Sequence, residues 1–279
     1  MPSEEYHSIP ALSAGGLKEL IRSPFHFRNR RPLTPRASLQ NGTLTHCLLL
    51  EPAEFDKRFA VVPESAPTRP SIRQRNAKKP SPETVEAIAW WDAFHASIAG
   101  KEVVDPDALA AAKAQAAAVR SVPDVAALLG TGYPEASAFW IDDETGELCK
   151  CRPDWVHPVD DASVILVDGK TCQDASPAGF ARTVWNFRYD LQAAHYSDGF
   201  QQATGLRVAG FVFAAVESAW PHAAGAYMLD DAVMHAARIE RRRLVDLYAQ
   251  CKATNHWPGY SQAVEAITLP RWAMREIGQ

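Results

Sequence analysis

The sequence predicts an α/β fold with a central mixed sheet, flanking helices and a mostly helical N-terminal part. Three observations predict it. Before residue 130 the apolar residues recur at helical spacing, in 83–99 and in the Ala-rich 107–120. Beyond residue 130 two short strand-like stretches flank Asp142-Asp143-Glu144-Thr145-Gly146, a hairpin signal. Two apolar runs, 164–170 and 208–217, then lie either side of a helical segment.

Taken in order, 13–21 reads as a short helix stopped by Ser23-Pro24, because the residue before proline is steered out of helical geometry. A second helix, 42–50, carries His46 at its centre and ends at Glu51-Pro52. Residues 61–82 are a Pro/Arg-rich loop. Helix 107–120 starts after Pro106, which suits a first turn. Strands follow at 136–141, 147–152 and 164–170. Helix 189–204 is ended by Gly205. Strands 208–217 and 224–229 precede a long helix, 230–251, with a basic face around Arg238, Arg241, Arg242 and Arg243. The tail from 257 reads as irregular. The expected organisation is one domain over 1–279, with a helical basic part (1–130), an α/β core (131–256) and a tail (257–279).

At 279 residues and 47% hydrophobic content the chain can bury a sizeable core. Apolar stretches such as 208–216 fall far short of a membrane span, and the N-terminus lacks the basic and apolar regions of a signal peptide. Five cysteines, odd in number and scattered, argue against a disulfide framework and for a reducing compartment. A soluble cytoplasmic protein is expected.

Net charge is −4, but its distribution is uneven. Residues 1–80 hold 13 Lys/Arg against 7 Asp/Glu, so the remainder is strongly acidic. Arg22, Arg28, Arg30, Arg31 and Arg36 occur with no acid between Arg22 and Leu50, and Arg69, Arg73, Arg75, Lys78 and Lys79 form a second acid-free cluster. Such clusters suit a phosphate backbone; they equally suit an ordinary solvated face or loop.

Chemistry concentrates at Asp168-Gly169-Lys170. Residues i and i+2 of a strand share a face, so a carboxylate and an ammonium leave one sheet edge together. Asp154 adds a second carboxylate from the end of a neighbouring strand. Two carboxylates and a cation suit metal-assisted phosphodiester hydrolysis: the acids hold a hard divalent ion, and the ammonium steadies water or developing phosphoryl charge. A strand-end salt bridge is the alternative. Gln192 and Tyr196, four apart on a helix, share a face and offer neutral donors; an amphipathic edge is their plain reading. His46 can bind or steer a metal, or sit satisfied in the core. Glu135 offers another carboxylate, and the Gly169 carbonyl can complete an oxygen shell. Cys149-x-Cys151 lacks a zinc-ligand gap, so packed structural cysteines and no zinc are expected.

Jointly, Gly42-x3-His46, Arg152-x-Asp154, Asp168-x-Lys170-Thr171 and Gln192-x3-Tyr196 resemble the ordered motifs of the PD-(D/E)XK nuclease superfamily. Within its RecB-like branch, the RecE-like (exonuclease VIII-type) phage nucleases are most similar. Leu12-Ser13 through Ser23-Pro24-Phe25-His26-Phe27 resembles their opening helix, and the likeness runs from about Leu12 to Trp257. It implies Mg²⁺-dependent (Mn²⁺ substituting) hydrolysis of double-stranded DNA from 5′ ends, giving 5′-mononucleotides and 3′ single strands. By the same resemblance His46, Asp154, Asp168 and the Gly169 carbonyl match metal-binding positions. Lys170 matches the water-orienting lysine, Gln192 and Tyr196 an accessory pair, and Glu135 a further catalytic carboxylate. The family often carries a bulky apolar residue where Gly169 stands. A homo-tetrameric ring and a RecT-like single-strand annealing partner are also implied. Some relatives hold a 4Fe–4S cluster with a late cysteine triplet; this chain lacks that triplet, so no Fe–S cluster is expected. A structure-specific or restriction-type endonuclease, and a non-catalytic DNA-binding protein on the same fold, are the rival readings.

Overall fold

The computed structural model describes residues 1–31, 37–261 and 263–277; Arg36 of the first basic cluster lies outside them. The helical half opens with α1 (Ser3–Ser8) and α2 (Ala14–Arg22), whose N-cap Ser13 hydroxyl accepts from the Gly16 N–H. Ser23 closes α2, and its hydroxyl caps α3 (Pro24–Arg28) through the His26 N–H. α4 (Ala37–Leu50) starts earlier than 42 but ends at Leu50 as expected. A 3₁₀ turn leads through α5 (Phe55–Arg58) to β1 (Phe59–Val61). Within the Pro/Arg-rich stretch a capping box between Ser71 and Gln74 starts a one-turn helix, α6 (Ile72–Arg75). α7 (Pro82–Ser97), β2 (Glu102–Val104), α8 (Pro106–Arg120) and α9 (Pro123–Leu129) complete this half, with β1 and β2 parallel. Sequence reading passes over α9 because seven residues are too few to establish a period.

β3 (Tyr133–Pro134), β4 (Ala138–Ile141), β5 (Leu148–Cys151), β6 (Trp155–Asp160) and β7 (Ser163–Cys172) come next. α10 (Pro177–Phe187), α11 (Tyr189–Thr204), β8 (Arg207–Glu217), β9 (Ala224–Tyr227), α12 (Asp231–Thr254) and α13 (Arg271–Ile277) follow. The main sheet has the order β3-β6-β7-β8-β9, with β7 and β8 parallel and the other pairs antiparallel.

The strand reading and the tail need correction. The hairpin β4–β5 forms, but as its own two-stranded sheet; the strand beside β7 is β6, which sequence reading missed. Pro158 disguises β6, and it is tolerated because β3 pairs only with Trp155 and Val156, leaving Pro158 on an open edge. The tail is not wholly irregular, since it contains α13. The basic face of α12 is internally neutralised: Arg238 pairs with Asp198 at 2.9 Å, Arg242 with Asp142 at 2.9 Å, and Arg243 with Glu240 at 2.8 Å. α10 was also missed; Ser176 caps it by accepting from the Gly179 N–H.

Strand alternation divides the core into two layers. Val164, Leu166, Phe211, Phe213 and Ala215 pack under α2, α10, α11 and α12 through Leu17, Phe180, Leu191 and Leu244. Val167, Val212, Ala214 and Val216 face the other way, against Leu49 and Leu50 of α4 and Val119 of α8. Cys149 and Cys151 are free thiols, fully buried in the first layer, and so fill space as expected. Among the described residues no helix is long and apolar enough to cross a membrane.

Candidate active site

Asp168 and Lys170 leave the C-terminal half of β7 on the α11 face, as the two-residue period requires. Asp168 is almost wholly buried, 1% exposed, and its Oδ2 meets the Lys170 ammonium in an ion pair. Its other oxygen, Oδ1, accepts from Gln192 Nε2 at 2.7 Å. Burial pulls the Lys170 pKa down, but Asp168 and Asp154 push harder, leaving it above its ordinary value. Lys170 therefore acts as a hydrogen-bond donor and fixed positive charge, not as a base.

The opposite face of β7 brings in α4. His46 Nε2 lies 2.8 Å from the Gly169 carbonyl; an oxygen can only accept, so Nε2 carries the proton. In the neutral ring His46 Nδ1 would turn its lone pair toward Asp154 Oδ2 at 3.4 Å, which already accepts the Gly169 N–H at 2.8 Å. Two acceptors facing each other become favourable only with a proton or a cation between them. Gly169 permits the approach: a Cβ there would stand 3.2 Å from His46 Nε2, so the missing side chain is the gap through which one layer reaches the strand end.

Asp154 is placed just before β6, and the Asp154 carbonyl accepts from the Glu135 N–H at 2.9 Å. That bond draws Glu135 in, and its carboxylate is held by Arg152 Nε at 2.5 Å. Burial, then the Asp168 charge, pushes the Asp154 pKa up to about 6. Among the described residues, ligand atoms of His46, Glu135 and Asp154 lie within 4.8 Å of one another. Carboxylate oxygens with one imidazole suit Mg²⁺ or Mn²⁺, and the facing acceptors and crowded carboxylates are what a cation relieves, so the residues fit such an ion. Asp168 does not join that three-residue group; its oxygens are committed to Lys170 and Gln192. Glu51 enters the same acidic corner, its pKa raised by burial and then by Glu135.

Gln192 is buried and used at both ends, since its Oε1 also accepts from Lys18 Nζ at 3.4 Å. It therefore positions Asp168 instead of offering a free amide edge. Tyr196 lies near both aspartates, and burial, then Tyr6 and Asp168, holds its phenol well above the ordinary range, keeping it a donor. Lys18 is a site residue that sequence reasoning missed. Its ammonium stands 4.9 Å from the Tyr189 ring centroid, as does that of Lys170, and burial followed by the Lys170 charge pulls its pKa down to about 8. Its signal was a lysine between Leu17 and Leu20 on the buried stripe of α2.

The basic clusters stay at the surface. Arg30 and Arg31 line a hollow with Arg22 and His26 beside α3, while Arg28 sits 5.8 Å from the Trp257 ring centroid. Arg69 lies over Trp91 at 5.1 Å, Arg75 pairs with Asp92, and Arg73, Lys78 and Lys79 are exposed.

Comparison with known proteins places the chain in a family. No curated protein matches the chain. A crystal structure of an Eubacterium rectale protein, named as a candidate exonuclease, superposes with a TM-score of 0.59 at 13% identity, covering 99% of this chain and 97% of that one. At that identity the likeness is one of fold. A second structure, SSO0001, is 12% identical over 75% of this chain and 86% of its own, with a TM-score of 0.30. The model of the family described as a PDDEXK-like domain of unknown function, DUF3799, matches residues 13–270, and the chain belongs to that family.

Proposed function

We propose that the chain is a divalent-metal-dependent deoxyribonuclease that degrades double-stranded DNA from its ends, 5′ to 3′, releasing 5′-mononucleotides. The observation that carries this reading is the convergence of Asp154, Asp168 and Lys170 at one end of β7, with His46 and the Gly169 carbonyl beside them. Membership of a PDDEXK-like family supports it, as does the fold likeness to a protein named as a candidate exonuclease.

His46, Glu135 and Asp154, with Asp168 and the Gly169 carbonyl adjacent, would hold Mg²⁺ or Mn²⁺. A bound divalent cation supplies Lewis-acid polarisation of the phosphate and lowers the pKa of water. Lys170 donates toward the attacking water and the phosphoryl oxygens, offsetting charge as it develops. Gln192 keeps Asp168 oriented, so the Asp168–Lys170 pair is preorganised. Tyr196 provides a second neutral donor. The exposed arginines and lysines near α3 and in 69–79 grip phosphates without reading sequence. By family resemblance the chain would assemble as a homo-tetrameric ring and work beside a RecT-like annealing protein; light scattering reads the first.

The test is digestion of linear duplex labelled separately at each 5′ and 3′ end, with Mg²⁺, beside a closed circular control. Loss of 5′ label as mononucleotide with the circle intact is expected. Cutting of the circle gives the endonuclease reading, and no cleavage with Mg²⁺ or Mn²⁺ gives the non-catalytic one.

A further inference from the structure

Where α10 meets α11, Phe187 and Tyr189 stack from the candidate active site out to solvent, and Trp185, two residues earlier on α10, is exposed as well. Tyr189 is half-buried, and its ring carries the ammonium groups of Lys18 and Lys170, each 4.9 Å from the centroid. Phe187 stacks on Tyr189 with centroids 5.7 Å apart and planes 20° apart, yet is 60% exposed. Trp185 is 70% exposed, with the Arg188 guanidinium 5.5 Å from its ring. Exposed large apolar side chains cost little singly, but Phe187 is stacked on the very ring that carries the two lysines, which marks it as a surface with a partner to hold. Arg188 is the hinge: it takes the left-handed conformation, φ 51°, and is pinned by Asp190 at 3.0 and 3.1 Å, so the chain turns here in one way only.

We propose that Phe187, stacked on Tyr189, and the exposed Trp185 at the same helix junction offer stacking faces for unpaired bases of the strand being cut. The flat faces of bases are hidden within a duplex and open only in a single strand, and aromatic rings beside cations are how proteins hold such a strand without reading its sequence. Cations accompany the rings, Lys18 and Lys170 at Tyr189 and Arg188 at Trp185, where a phosphate backbone accompanying stacked bases would run. A nucleotide stacked on Phe187 would hold the next phosphate toward Lys170. The inference rests on the nuclease reading for its biological sense, but binding itself needs no catalysis.

The experiment measures fluorescence anisotropy of labelled oligo(dT) in EDTA, so that cleavage plays no part, for the full chain and for Phe187→Ala, Trp185→Ala and the double variant. Each ring should weaken binding by about tenfold, with Phe187→Tyr close to the parent, while the urea midpoint is unchanged because both rings are exposed. Unchanged oligo(dT) affinity in the double variant overturns the platform. So does a shift of that variant to a smaller assembly by light scattering with oligo(dT) affinity retained, which makes the rings a contact between copies. Retained ring-dependent binding in a chain that cleaves nothing keeps the platform and removes the nuclease reading.

Discussion

Replacing Gly169 by valine tests how the two layers of the fold meet at the site. A Cβ at 169 stands 3.2 Å from His46 Nε2, so even alanine asks the ring to give by a few tenths of an ångström, and the further methyls of valine ask for more. Terms of opposite sign compete. Removing glycine from a strand interior gains about 0.5–1 kcal/mol. Against this stand the 2.8 Å His46–Gly169 hydrogen bond, worth about 0.5–1.5 kcal/mol, and overpacking, about 1–3 kcal/mol. The net expectation is a loss of about 2 kcal/mol in urea unfolding followed by circular dichroism. Because the loss runs through one ring, making His46→Ala first should abolish most of it: valine then fills vacated space. A double-mutant cycle should therefore give a coupling of at least about 1 kcal/mol. Additivity within about 0.5 kcal/mol, the usual result for independent sites, refutes the reasoning.

Three further outcomes follow from the same structure. Lys170→Met should lower nucleotide release by at least about 10²-fold, the scale for one preorganised donor, while DNA anisotropy titrations change little. His195 is fully buried, its Nε2 donating to the Lys150 carbonyl at 3.2 Å, and burial followed by Arg241 lowers its pKa to about 3. The unfolded chain protonates this group at its ordinary value while the folded chain does not, so stability is full above pH 6.5 and falls by about 2 kcal/mol by pH 5. Asp154, raised to about 6, runs the other way, binding a proton in the folded state first. The measurement is thus the difference between the parent and His195→Gln across that range, and equal slopes would count against a neutral buried imidazole. Finally, Gly199→Ala puts a Cβ 2.1 Å from the Trp140 ring at the α11–β4 contact, and should cost about 3 kcal/mol in urea unless α11 shifts.

How legible the fold was depended on how local each signal is. Helix α11 was read to the residue because Gly205, at φ 75°, is a left-handed stop that declares itself in sequence. β7 and β8 were readable from unbroken apolar runs, since strands covered on both faces need no alternation. β6 was not, because whether Pro158 is permitted depends on how far β3 extends along its other edge, a fact about the sheet and not about the strand. The site divides in the same way. Asp168 with Lys170, and Gln192 with Tyr196, followed from period alone. Lys18 did not, because its role lies in reaching Gln192 across 174 positions. The partners of the α12 arginines were hidden for the matching reason: Asp142 and Asp198 come against that face only in the fold.

The site draws on both layers, and this explains why glycine can stand between the aspartate and the lysine. Asp168 and Lys170 point toward α11 and are fixed there by Gln192 and the Tyr189 ring. Nothing on that face can supply His46, which belongs to α4 beneath the sheet, 123 positions earlier. A large residue at 169 would thicken the layer contact and screen the carbonyl from α4. Without a side chain the strand is thin at that one point, so the imidazole touches the Gly169 oxygen while the Gly169 N–H holds Asp154. One residue thus orients two others through its backbone alone. A bulky apolar residue there can give the strand more packing only by moving the histidine away.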